Sequence, residues 1–253
     1  RRVNNTYIYN HRVSVHEIDA FGLWRPDSIL RLMQYVAGLH SQALGYSRDK
    51  LIKEHKTVWM LSSIAVKFLR YPGFDEELAL ATWYGQPERV LLPRYAEITD
   101  KHGLIAALAT SWVIVDIDSR RILPAERADL VFPSASKRIP TLKLDGRLRL
   151  KKTGLVESSK RTPRYCDIDI NGHMNNASYA SWILDLFAID TYKQARLGFL
   201  QIEFCSEAKP DKSIVLNKYS NKDSFEVQGI DSSSAHIVFN AIGEWDYNFK
   251  KGI

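Results

Sequence analysis

Hydrophobic residues recur along this chain with two periods. From Tyr7 to His16 aromatic and β-branched residues alternate with polar ones, which predicts a strand. The break at Asp19-Ala20-Phe21-Gly22-Leu23 follows, and then the period changes. Ile29, Leu32, Met33, Val36 and His40 are spaced for one face of a helix. Pro26 suits its first turn and Gly45 the position beyond its end. Val58 to Phe68, Leu78 to Tyr84, Arg94 to Thr99 and Leu104 to Ile117 read as strands, punctuated by Tyr71-Pro72-Gly73, Gly85-Gln86-Pro87 and Lys101-His102-Gly103. Between Ser119 and Lys160 the pattern weakens and Pro124, Pro133 and Pro140 interrupt it, so this stretch reads as a linker with one helical turn near Ala125 to Leu130. The first pattern then returns. Arg161 to Cys166 reads as a strand, Asn171-Gly172 as a turn and Ala177 to Tyr192 as a helix. Leu197 to Phe204, Ile214 to Tyr219, Ser224 to Ile230 and Ala235 to Trp245 read as strands.

The recurrence has a register. Asp19-Ala20-Phe21-Gly22-Leu23 aligns with Asp169-Ile170-Asn171-Gly172-His173 at an offset of 169 − 19 = 150. Asp and Gly recur, while Phe21 and Leu23 stand where Asn171 and His173 stand. Two copies of one unit, with polar chemistry in the second only, account for this. The second helix is apolar nearly all round, with Ala180, Ile183, Leu184 and Phe187 on one side and Trp182, Leu186 and Ile189 on another, so it is expected to be buried. The fold class predicted is α+β, each half a long helix wrapped by a curved antiparallel sheet. The expected division is residues 1–118, a basic linker over 119–160, and residues 161–253.

Composition narrows the class. The chain has 253 residues, 45% hydrophobic and 25% charged, ordinary for a globular protein. No apolar run approaches a membrane span, the N-terminal stretch has no apolar h-region, and two cysteines fit a reducing compartment, so a cytoplasmic location is expected. The net charge is +6. Ten Lys or Arg fall between Lys137 and Arg164, Lys151 and Lys152 among them, against Asp145 and Glu157. Such a run is either a docking surface for an acidic macromolecule or a solvated linker. It lacks the aromatic interleaving of a nucleic-acid site.

The candidate chemistry sits at the second turn. Asp169, Asn171 and His173 lie at i, i+2 and i+4, which in an extended segment puts all three on one face beside a helix N-terminus. Each also has a plainer role: Asp169 as a turn former, Asn171-Gly172 as a common turn, His173 as an exposed loop residue. Cys166 reads as core, Cys205 as packing, and His40 as a core histidine. No zinc-ligand spacing, nucleotide-binding glycine loop or G-x-S-x-G elbow is present, so neither a metal nor a cofactor is expected.

Asp169-Ile170-Asn171-Gly172-His173-Met174-Asn175-Asn176, followed by Tyr179, Trp182 and Leu184, resembles the D-x-N-x-H-x-N-N-x-x-Y-x-x-W-x-L signature of fatty acyl-acyl carrier protein (acyl-ACP) thioesterases. Trp59 with Val66-Lys67-Phe68 and Arg70-Tyr71-Pro72, and the strand Trp112 to Asp116, are similar to other segments of that family. The resemblance implies a tandem hotdog fold and hydrolysis of acyl-ACP to free fatty acid. Its nearest rival is an acyl-CoA thioesterase or another hotdog enzyme, and a rival from another class is a non-catalytic acyl-binding module. The resemblance also implies Asp169, Asn171, His173 and Glu207 as the catalytic set, Glu207 lying in Phe204-Cys205-Ser206-Glu207-Ala208. Ala208 stands where plant members carry a cysteine, which removes a cysteine nucleophile at that position. Counting back from Phe204 to Phe68 puts Tyr71 in the place of Glu207. Asn175 and Asn176 are expected beside the substrate, Met33, Val36 and Ala37 along the acyl pocket, and Lys151 and Lys152 at the carrier. Because the repeat supplies internally what single hotdogs obtain by pairing, a monomer and a homodimer both stay open.

Overall fold

The computed structural model describes residues 6–124, 135–144 and 146–249. The helical turn expected near Ala125 to Leu130 lies outside the described residues. The first half runs β1 (Thr6–Arg12), α1 (Pro26–Ala43), α2 (Arg48–Lys50), β2 (Thr57–Phe68), β3 (Glu77–Tyr84), β4 (Leu92–Asp100) and β5 (Gly103–Asp116), with β6 (Ile122–Leu123) against β5. The second runs β7 (Leu155–Arg161), α3 (Asn176–Leu184), α4 (Thr191–Gln194), β8 (Arg196–Phe204), β9 (Ile214–Ser220), β10 (Ser224–Asp231) and β11 (Ile237–Asp246).

The strands join one antiparallel sheet in the order β1-β3-β4-β5-β2-β8-β11-β10-β9-β7, with β6 paired to β5 off this path. The order is a palindrome about the β2–β8 seam. So is the seam's register: Ser63 faces Glu203 and Lys67 faces Phe199, and adding 136 to 67 and 63 returns 203 and 199. Each half is thus the other's counterpart about a pseudo-twofold axis through the seam. The core forms because α1 and α3 bury apolar stripes on this sheet. Ile29, Leu30, Met33 and Val36 of α1 and Ala180 and Ile183 of α3 belong to one continuous cluster. Each of the larger of these side chains, from valine up, contributes roughly 1.5–3 kcal/mol on burial.

Three elements depart from the sequence pattern, each for a local reason. The strand expected over Arg161 to Cys166 lies instead at β7, within the stretch read as linker. Its residues are nearly all exposed, because β7 is an edge strand held by backbone pairing to β9, and no apolar alternation marks it. Tyr165 to Asp167 form a 3-10 turn, since the Asp167 carboxylate accepts the Arg164 N–H at 3.0 Å. The strand expected to reach His16 stops at Arg12 for the same reason: the Glu17 carboxylate accepts the Ser14 N–H at 2.8 Å. The second helix ends at Leu184, not Tyr192. The carbonyls at and just beyond its end have side-chain donors: the Tyr192 hydroxyl donates to Leu184 O at 2.6 Å and Lys218 Nζ to Leu186 O at 2.9 Å. Phe187 then turns into the aromatic cluster of Phe225 and Trp245. No helix among the described residues is long and apolar enough to cross a membrane.

Candidate active site

The two repeated turns share one backbone. Asp19 N–H donates to Leu23 O at 2.8 Å, and Asp169 N–H to His173 O at 2.9 Å. Gly22 and Gly172 take φ of +76° and +77°, a left-handed conformation that glycine adopts without strain. The Phe21 and Asn171 N–H groups each donate to their aspartate Oδ1 at 2.8 Å. Asp169, Asn171 and His173 therefore converge through a closed turn, not along one face of an extended segment.

Glu207 reaches the turn from the loop after β8. Met174 N–H donates to Ala208 O at 3.0 Å, as Trp24 N–H donates to Pro72 O at 2.8 Å. The paired bonds equate Ala208 with Pro72 and hence Glu207 with Tyr71 (207 − 136 = 71). This anchoring brings Glu207 Oε2 to 3.1 Å from His173 Nε2, with the two side chains 30% and 29% exposed. Asp169 Oδ2 accepts from Asn171 Nδ2 at 3.3 Å, and Asn171 Oδ1 accepts from Arg48 Nε at 2.9 Å. Arg48 belongs to the first half, so the carboxamide is held from both sides.

Asp169, Asn171, His173 and Glu207 all line one cavity of about 690 Å³, with Trp59, Met60 and Trp112 contributed by the first half. Tyr179 forms part of its wall. Burial, aided by the charges of Glu207 and Asp169, pushes its phenol pKa up, so the hydroxyl stays protonated. In the first half the corresponding place is closed. Asp19 Oδ2 pairs with Arg196, whose guanidinium lies 4.9 Å from the Phe21 ring centroid and 5.9 Å from that of Tyr71. The Tyr71 hydroxyl donates to Leu197 O at 2.7 Å. Across the pseudo-twofold axis, Met60 takes the place of Arg196 (196 − 136 = 60). Among the described residues no cation pairs with Asp169. The absence of Arg at Met60 leaves that carboxylate to the cavity.

Other expected site residues divide. Asn175 and Asn176 line the cavity, but Asn175 Oδ1 caps α3 by accepting the Ala177 N–H at 2.9 Å. Ala37 lines a smaller adjoining cavity of about 180 Å³. Met33 and Val36 line neither: they lie on the stripe of α1 that packs into the core, and they are 1% and 0% exposed. The lining stripe is Gln34, Ala37, Gly38 and Ser41. Lys151 and Lys152 are exposed, and their backbone N–H groups clamp the Glu226 carboxylate at 3.0 and 2.6 Å. The core reading of Cys166 and the packing reading of Cys205 fail, since both are exposed. Cys205 touches the cavity, but burial and then Glu203 push its thiol pKa up, the opposite of an activated nucleophile. His40 is core, as expected, at 0% exposure. Among the described residues no group of three or more His, Cys, Asp or Glu could hold a metal ion.

A family model for the acyl-ACP thioesterase N-terminal domain matches residues 4–128, and one for the C-terminal domain matches residues 150–246. The chain belongs to the acyl-ACP thioesterase family. Among family members, a chloroplastic acyl-(acyl-carrier-protein) hydrolase of Cuphea viscosissima is 25% identical over 196 residues, covering 73% of this chain and 48% of that protein. A chloroplastic oleoyl-acyl carrier protein thioesterase of Coriandrum sativum is 24% identical over 202 residues, covering 73% and 54%. The chain thus spans about half the length of the curated relatives it matches. Of solved structures, an acyl-ACP thioesterase from Bacteroides thetaiotaomicron superposes with a TM-score of 0.83 at 20% identity, over 96% of this chain and 98% of that one. The 12:0-ACP thioesterase from Umbellularia californica gives 0.78 at 16%, over 96% and 98%. The fold is the double hotdog of this acyl-ACP thioesterase family.

Proposed function

We propose that this protein hydrolyses the thioester of a fatty acyl chain carried on acyl carrier protein, releasing the free acid. The observation that carries this reading is the 3.1 Å contact of His173 with Glu207 in a cavity lined by both halves. Thioester hydrolysis needs a nucleophilic water, a donor for the developing oxyanion and a proton for the departing thiolate. Glu207, open to the cavity, takes a proton from water as the water oxygen attacks the carbonyl carbon. His173 carries that proton to the sulfur as the C–S bond breaks, since imidazole both accepts and gives a proton near neutral pH. Asn171, held by Arg48, orients Asp169. Tyr179, kept protonated, is a donor suited to the oxyanion. The first two side-chain-accessible N–H groups of α3 are less suited, because Asn175 already takes those of Ala177 and Ser178.

In this reading the second half supplies the reacting groups and the first half holds the acyl chain. Exposed Lys151 and Lys152 meet the acidic carrier. The test is release of free thiol by the purified protein from acyl-ACP and from acyl-CoA of the same chain. Acyl-ACP is expected to turn over faster, and a preference for acyl-CoA would move the assignment to that substrate. His173→Ala and Glu207→Ala are expected to fold and to lower kcat on the order of 10²-fold or more. Near-normal kcat in either folded variant removes that residue from the mechanism. If no thiol is released from any acyl thioester, the protein is a binding module.

A further inference from the structure

The smaller cavity adjoins the larger, sharing Gln34, Arg48, Trp59, Trp112 and Asn171 as walls. Along α1 it runs from Gln34 to Ser41, two turns or about 10 Å. Most of its wall is apolar, but Arg94 of β4 forms part of it. Arg94 is 2% exposed. Among the described residues, the contacts of its guanidinium are with neutral groups. Nη1 donates to His40 Nδ1 at 2.9 Å and to Thr82 Oγ1 at 3.3 Å, Nη2 donates to Ser41 Oγ at 3.3 Å, and the Tyr84 ring centroid lies 3.9 Å from its central carbon. Burial, with the Arg94 charge beside it, holds the His40 imidazole down at about 4, so this neighbour is neutral at physiological pH. Among the described residues no carboxylate lies within ion-pair distance of Arg94, whereas the other two well-covered arginines do have partners, Arg70 with Glu76 and Asp100 and Arg196 with Asp19.

A buried cation without a counter-ion is costly, and neutral hydrogen bonds alone do not offset the loss of water. A thioesterase pocket meant only for hydrocarbon has no use for such a charge, because a methyl end packed on a guanidinium removes water and returns nothing. We propose that the smaller cavity is a subsite for an acceptor oxygen, carboxylate or hydroxyl, at the distal end of the acyl chain, with Arg94 as its recognition residue. This inference rests on the reading of the larger cavity as the thioester site. A chain whose thioester lies against His173 and Glu207 and that enters between Trp59 and Trp112 passes along Gln34, Ala37 and Gly38 and presents its far end to Arg94. Ser41, hydrogen-bonded at 3.0 Å to the Tyr84 hydroxyl, offers the same oxygen a second donor.

The experiment compares kcat/KM on acyl-ACP substrates of equal length, from hexanoyl to dodecanoyl, ending in a methyl, a hydroxyl or a carboxylate. For the length that reaches Arg94 the oxygenated chains are expected to win by about tenfold or more, the strength of a charge-assisted hydrogen bond. The hydroxyl and carboxylate arms identify which oxygen function is preferred. Arg94→Met should erase or reverse the preference, and Arg94→Lys should keep part of it. Equal or better turnover of the methyl-ended chain at every length overturns the proposal. A second measurement needs neither turnover nor a variant: calorimetric binding of the monoamide of octanedioic acid against octanamide to the unmodified protein. Tighter binding of the carboxylate compound without any hydrolysis supports the subsite while defeating the thioesterase reading. Hydrolysis with no binding difference between the two probes does the reverse.

Discussion

Asp169 Oδ1 accepts the Asn171 N–H at 2.8 Å, and Asp19 makes the same bond to Phe21 in a turn that has no imidazole. That bond therefore belongs to the turn, and the charge is a separate matter. Asn at position 169 keeps the acceptor and removes the charge, whereas Ala removes both. We expect Asp169→Asn to melt within about 0.5 kcal/mol of the parent and to lose most thioesterase activity. Asp169→Ala should in addition lose about 1 kcal/mol of stability. Melting curves and thiol release on both variants check this, and unimpaired turnover by Asp169→Asn would leave the carboxylate a turn former only. At this scale the sequence was informative where residues are neighbours along the chain. The Asp-Gly spacing and His173 announced the turn, whereas Glu207 came from the family resemblance, and the count back from it to Tyr71 agrees with the paired bonds of Met174 to Ala208 and Trp24 to Pro72. What it did not disclose is what crosses the seam. Met60 and Trp59 of β2 meet the site because β2 pairs with β8, Arg48 reaches it from α2, and no local pattern marks a methionine as the mate of Arg196.

The two faces of α1 do different work. Met33, Val36 and His40 lie in the core, while Gln34, Ala37, Gly38 and Ser41 face the smaller cavity. Helical spacing identified the apolar stripe and could not say which of two adjoining stripes a cavity would follow. The consequence is a contrast between neighbours. Ala37→Leu is expected to shift the chain-length profile toward shorter acyl groups, because each buried CH₂ that fits contributes roughly 0.8 kcal/mol and one that clashes costs more. Met33→Trp should leave the profile unchanged and lower stability by about 1–3 kcal/mol through overpacking. Chain-length profiles with melting curves for both variants decide. An Ala37→Leu protein that is folded and unchanged in preference places the acyl chain elsewhere. Elements were otherwise legible where one face is buried and the other wet. They were missed where that contrast vanishes, as in the exposed edge strand β7. The same holds where the Tyr192 hydroxyl and Lys218 satisfy the carbonyls at and just past the end of α3 and let an apolar run leave the helix.

Over the whole molecule the basic segment joins the two halves, and part of its charge is already engaged. Arg138 pairs with Glu97 and lies 4.3 Å from the Trp83 ring centroid, and Arg161 pairs with Asp185 at 2.9 Å. Lys151 and Lys152 engage Glu226 through their backbone, and among the described residues neither ammonium has an ion pair, which in the proposed reading leaves both to the carrier. Reversing both charges should slow association with acyl-ACP more than with a short acyl thioester lacking the carrier. Salt should shrink the difference, exposed charges being screened beyond about 10 Å at 0.1 M. Equal losses on both substrates would mean that the pair supports the fold instead. The palindromic sheet has one more consequence. Its two turns share a backbone and differ in side chains, so under the proposed mechanism the protein carries an inert twin of its own reactive turn. The twin has exchanged an amide and an imidazole for Phe21 and Leu23, the latter 5% exposed. Grafting that choice onto the working turn, as Asn171→Phe with His173→Leu, should abolish hydrolysis and raise the melting temperature, by roughly 2–4 °C for each kcal/mol of added apolar burial. On that mechanism, reactivity in this chain is a departure from the sequence that would make the same loop most durable.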